Sequence, residues 1–105
     1  MMTEDEVVQR IIRLYKDENG FLVKLRVGIE FDEQLYQESV QAIKDYISLA
    51  KGKEYISRHV AFFLYETAFV LEGQAQYFRQ INHPLAERTA QAWKEFDRLS
   101  QELFL

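Results

Sequence analysis

The chain predicts a mainly α domain with a minor β component. About four helices and one β-strand or hairpin near residues 21–31 should follow one another in the order α-β-α-α-α. Three observations carry this expectation. Apolar residues recur at helical spacing in four stretches, a single stretch is apolar at every odd position with four of its five even positions polar or glycine, and capping residues stand at the boundaries between them.

The 105 residues fit one domain spanning 1–105, and 48% hydrophobic with 14% aromatic residues is enough for an independent core. A net charge of −4 offers no general attraction for phosphate backbones or anionic lipid, so nucleic acid and membrane are disfavoured as partners. The absence of cysteine removes disulfides, cysteine-zinc sites and thiol nucleophiles. The first ten residues carry acids where a secretory signal carries bases, and Val60 to Leu71 contains Glu66 and Thr67. That window falls short of the roughly 20 apolar residues of a membrane span, so the expectation is a soluble cytoplasmic protein.

Thr3 with Glu6 forms a capping box ahead of Val7, and Met2 with Val7 occupies the positions of a hydrophobic staple. Val7, Val8, Ile11, Ile12 and Tyr15 continue a first helix over about Glu4 to Asp17, closed by a left-handed cap at Asn19-Gly20. A competing reading makes Ile11 to Lys16 a strand, joined to the next segment as a hairpin.

From Phe21 the period changes to two. Phe21, Val23, Leu25, Val27, Ile29 and Phe31 alternate with Leu22, Lys24, Arg26, Gly28 and Glu30, the pattern of a strand with one buried face. Such a strand needs a partner for its backbone, either residues 11–16 or the same strand of a second copy across a two-fold axis.

Asp32 is placed to cap a second long helix from about Glu33 to Ala50, with Phe31 and Tyr36 as its staple. Tyr55 to Phe78 is the most apolar stretch and should form the central helix. Ile56, Val60, Phe63, Leu64, Val70, Leu71 and Phe78 share its core face, with Ala61, Ala68 and Ala75 as a small-residue seam beside it. After Asn82-His83-Pro84 a last helix should run from Pro84 to Glu102, turning Leu85, Ala86, Ala90, Ala92, Trp93, Phe96, Leu99 and Leu103 inward. No internal repeat is visible.

Catalytic, cofactor and metal motifs are missing. His59 and Glu66 share a face of the central helix, but seven residues rise about 10.5 Å, too far to ligate one ion together. His83 and Glu87 are four apart and read as a surface contact. The serines stand in no nucleophile motif, and no phosphate-binding glycine pattern occurs.

The remaining signal is a binding surface. Phe62 and Phe69 lie away from the core face of the central helix, bordered by Arg58 and Tyr65, in the composition of an interface. Another helix of the same chain could also cover them. The expected function is therefore non-enzymatic: a protein–protein interaction or regulatory protein, acting as a homodimer or on another protein, with no cofactor. The alternative is a DNA-binding regulator with the element order of ribbon-helix-helix proteins, in which Leu22, Lys24 and Arg26 would face the bases. A third reading places a small-ligand pocket beside His59 and Glu66.

Overall fold

The capping box at Thr3 forms as the sequence predicts and starts the first helix, α1 (Glu4–Lys16). The Glu6 amide donates to Thr3 Oγ1 at 3.2 Å, and the Thr3 amide donates to Glu6 Oε1 at 3.0 Å. These bonds to its charged form hold the Glu6 carboxyl below the usual carboxylate range. The computed structural model describes residues 2–105, and Val7 and Ile11 of α1 are wholly buried in it. Residues 11–16 are therefore helix, and the hairpin reading fails. The expected left-handed cap fails as well. Asp17 ends α1 in an extended conformation, and Gly20 is the extended N-cap of the next element.

That element corrects the principal β expectation. Phe21–Arg26 is a short helix, α2, and no strand occurs among the described residues. Phe21 and Leu25 are buried, while Val23, Val27 and Ile29 are exposed. A spacing of four satisfies a period of two and a helical turn alike, so the two residues that bury are common to both patterns. Backbone accounting decides between them. A lone strand leaves its amides unpaired, whereas here Lys24 N–H donates to Gly20 O at 3.1 Å and Val27 N–H to Val23 O at 2.9 Å. After α2 the chain folds back so that Glu30 N–H reaches Lys24 O at 3.1 Å. Gly28 permits this, because a Cβ there would stand 3.0 Å from the same carbonyl. The strand-paired homodimer and the inserted ribbon both lose the element they require.

Asp32 caps α3 (Glu33–Ala50), accepting from the Leu35 amide at 3.1 Å. The staple is present, with the Phe31 and Tyr36 rings 5.3 Å apart. The end of α3 is a turn in which Lys53 N–H donates to Ala50 O at 3.0 Å and Gly52 takes φ +78°. A left-handed third residue is what a type II turn requires, and glycine adopts it without steric cost.

The central helix, α4 (Arg58–Gln80), starts after the Ser57 N-cap, three residues later than the apolar run. It ends in a Schellman motif. Asn82 adopts φ +55°, His83 N–H donates to Phe78 O at 2.8 Å, and the His83 ring stacks 4.6 Å from Phe78. The last helix, α5 (Ala86–Phe104), begins two residues beyond Pro84, with the Leu85 amide donating to His83 Nδ1 at 3.0 Å. The turn chemistry thus falls to Asn82 and His83, and Pro84 precedes the helix.

The α4–α5 hairpin is the most extensive helix pair, with α1 and α3 packed across it and α2 closing one side. At 23 residues α4 is about 34 Å long and spans most of the 43 Å long axis. The core runs through Val7, Ile11, Leu25, Tyr36, Ile43, Tyr46, Phe63, Leu71, Phe78, Phe96 and Leu99. Thr67 and Thr89 join it, while Val70 and Trp93, expected inside, are half-buried.

Tyr46 ties three elements together from within this core. Its hydroxyl accepts from the Ser57 amide at 2.9 Å and donates to Glu4 Oε1 at 3.4 Å, and Glu4 also pairs with Lys53. Tyr46→Phe is expected to cost about 1–2 kcal/mol in denaturant unfolding, because the Ser57 amide loses its acceptor. An unchanged midpoint would mean that water replaces the phenol.

Candidate functional site

Winding α4 inward on Val60, Phe63, Leu64, Thr67, Leu71, Ala75 and Phe78 leaves a second face outward. Arg58, Ala61, Phe62, Tyr65, Ala68, Phe69 and Glu72 occupy it. Tyr65 is 69% exposed and Phe69 68%, and their rings stack on each other with centroids 6.1 Å apart and planes inclined by 21°. Residues four apart meet on a helix surface, so the pair forms without help from any other element. Stacking shields only one face of each ring, and the rest is open to water.

Phe62 is treated differently. Tyr15 of α1 meets it edge-on at 5.6 Å, leaving it 49% exposed. The question the sequence leaves open about intramolecular cover thus has two answers: α1 partly covers Phe62 and leaves Phe69 bare. Tyr15 also places its hydroxyl 2.7 Å from His59 Nδ1, anchoring that imidazole to α1.

Beside the stacked pair runs a shallow groove between α4 and α5. Ala61 and Ala68 line its α4 wall, and Trp93, Asp97, Ser100 and Phe104 line the other. The small-residue seam therefore opens toward α5 as a groove along part of its length, and only Ala75 is buried. The α5 contribution is one that sequence reasoning missed by turning Trp93 fully inward. The 93, 97, 100, 104 spacing was the available signal, since steps of four and three trace one helix face.

The other expected contact residues are dispersed. Arg58 lies exposed at the first position of α4, on the same face as Tyr65. Arg26 lines a second groove with Glu66, Phe69 and Val70, which brings α2 to the far flank of Phe69. Lys24 is engaged within the chain, its ammonium donating to Asp32 Oδ2 at 2.8 Å. That contact raises the Lys24 pKa and lowers that of Asp32, and it braces α2 against the cap of α3. Leu22 is half-buried against a small cavity and does not project outward.

That cavity is the nearest thing to the ligand pocket beside Glu66. It measures about 70 Å³, is walled by Tyr15, Phe21, Phe63 and Glu66 among others, and does not include His59. Pockets for drug-sized ligands run to several hundred Å³, so this space suits a few water molecules. The Thr67 hydroxyl on the same wall is fully shielded and makes no hydrogen bond. Among the described residues no three His, Asp or Glu side chains are grouped to hold a metal ion. None of the helices described is long and apolar enough to cross a membrane.

One ion pair, reinforced by aromatic rings, joins α3 to α5. Arg88 donates to both Glu33 oxygens, at 2.6 and 2.9 Å, and its guanidinium lies 4.6 Å from the Phe31 ring centre and 4.9 Å from that of Tyr36. The pair lowers the Glu33 carboxyl pKa. The fork geometry and ring stacking are what arginine, and not lysine, provides. This constellation fastens two helices, whereas the most exposed pair of contacting aromatic rings among the described residues is Tyr65–Phe69 on the outer face of α4. No protein-family model, curated protein or solved structure matches the chain.

Proposed function

We propose that the protein is a non-enzymatic interaction module that self-associates through the outer face of α4 and its groove with α5. The single observation carrying this reading is the stacked Tyr65–Phe69 pair, two large rings each about two-thirds exposed on the central helix. Full burial of a phenylalanine-sized side chain contributes about 1.5–3 kcal/mol, and Tyr residues on interfaces combine an apolar body with a polar tip. Two such rings per copy, bordered by Arg58, Glu72 and Asp97, have the aromatic centre and polar rim of a protein interface. The face is built on rigid helix and not on loops, so it is already formed before a partner arrives.

The test is the Tyr65→Glu/Phe69→Glu double variant. Both side chains point to solvent, so the helical circular dichroism and melting of the dilute protein are expected to stay close to the parent. Association measured by light scattering is expected to weaken at least tenfold, because two carboxylates per copy would have to be desolvated. A variant that associates as the parent does would overturn the assignment of this face. DNA binding through paired strands finds no support in a chain whose residues 21–26 are helical.

A further inference from the structure

We propose that α4 pairs with α4 of a second copy, antiparallel, about a two-fold axis passing beside Tyr65. The proposal rests on the self-association reading above and gives it a register.

The outer face of α4 is self-complementary about Tyr65. Phe62 and Ala68 lie three residues either side of it, Ala61 and Phe69 four, and Arg58 and Glu72 seven. At 3.6 residues per turn these seven positions fall within an arc of about 120° centred on Tyr65. In an antiparallel pair related by a two-fold axis, residues equally far before and after the axis come level with each other. Tyr65 then meets its own copy. Phe62 lies on the same flank as Phe69 of the second copy, within about one residue's rise of 1.5 Å, and the symmetry makes this aromatic contact twice. On the opposite flank Ala61 comes beside Ala68 of the second copy, where two methyl groups allow the helices to approach closely.

Charge supports the same register. Arg58 becomes level with Glu72 of the second copy, and this contact is also made twice. Both side chains are exposed, and neither has an ion-pair partner among the described residues, so each is free to pair across the interface. A parallel pairing would instead set Arg58 beside Arg58 and Glu72 beside Glu72, placing like charges opposite each other. The antiparallel arrangement also seats each α4 along the α4–α5 groove of the other copy, where Trp93 and Phe104 flank it. The contact is isologous and closes, so it yields dimers and not filaments.

The chain contains no cysteine, so a single introduced thiol reports contact without background. Tyr65→Cys is expected to form a disulfide-linked dimer under mild oxidation much faster than Lys44→Cys, an exposed position on α3, because only residue 65 lies against its own copy. Arg58→Glu, which leaves two acidic pairs at the interface, is expected to weaken the dimer ten- to a hundredfold by light scattering. Adding Glu72→Arg to that variant is expected to restore the affinity to within a few-fold of the parent. A parent protein that dimerises while Tyr65→Cys cross-links no faster than Lys44→Cys, or whose charge swap is not rescued, overturns this register and leaves self-association standing. A parent that stays monomeric at high micromolar concentration overturns both, and leaves the face to a different protein.

Discussion

Phe63→Ala is expected to destabilise the fold by about 3–5 kcal/mol, whereas Phe69→Ala is expected to change the stability of the dilute protein by less than about 0.5 kcal/mol. The two phenylalanines stand less than two turns apart on α4 and differ in what surrounds them. Phe63 is 3% exposed, with the Phe96 ring 6.2 Å away edge-on and Tyr15 at the same centroid distance on another side. Truncating it removes the transfer energy of the ring and leaves a void that the packed helices cannot close, since α1, α4 and α5 all border it. Phe69 has one aromatic neighbour, Tyr65, and is 68% exposed. Chemical denaturation of both variants in dilute solution measures the contrast. Equal losses would mean that the outer face is also core.

The same contrast marks what could be read from the sequence and what could not. Features decided within a turn or two of chain were legible. The Thr3–Glu6 box, the Asp32 cap and the Phe31–Tyr36 staple each depend on side chains and amides three to five residues apart, and all are present. The limits of α3 coincide with the expected Glu33–Ala50 for that reason.

Residues 21–31 were misread because alternation is a weaker statement than it looks. Phe21 and Leu25 alone determine which side is buried, and four residues are compatible with either period. The deciding fact was non-local: among the described residues no second strand lies alongside to accept the hydrogen bonds, so the segment closes its own within α2. Fates that depend on how helices dock were equally hidden. That Tyr15 reaches Phe62 and stops short of Phe69 follows from where α1 crosses α4, which no pattern within α4 encodes. Trp93 carried the size and hydropathy of a core residue, yet Ala61 and Ala68 opposite it leave an open groove that holds it at half-burial. The candidate site was thus legible as a list of aromatics, and its shape as a groove with one bare flank came from the packing.

Stability is expected to fall as the pH rises above about 10, with a slope that Tyr36→Phe removes. Tyr36 is fully buried, and its hydroxyl donates to Glu95 Oε1 at 2.5 Å and lies 3.4 Å from the Ala92 carbonyl. Burial disfavours the phenolate first, and the neighbouring Glu95 carboxylate, which needs the phenol proton for its hydrogen bond, disfavours it further, so the pKa is pushed far above that of a free tyrosine. A folded-state pKa above the unfolded value means that, in strong base, the unfolded chain has lost a proton the folded chain still holds. The stabilisation is complete below the unfolded value and is lost as the pH climbs beyond it. One proton corresponds to a slope approaching about 1.4 kcal/mol per pH unit. Tyr36→Phe is expected to lose about 1–2 kcal/mol at neutral pH, where the hydrogen bond to Glu95 is missing, and to narrow that deficit as the pH rises. Urea unfolding of both proteins at neutral and strongly alkaline pH gives the difference directly, since the other titrating groups are common to the two chains. Parallel pH profiles would show that Tyr36 ionises in the folded protein as readily as in the unfolded one, and that the α3–α5 contact leaves its hydroxyl open to water.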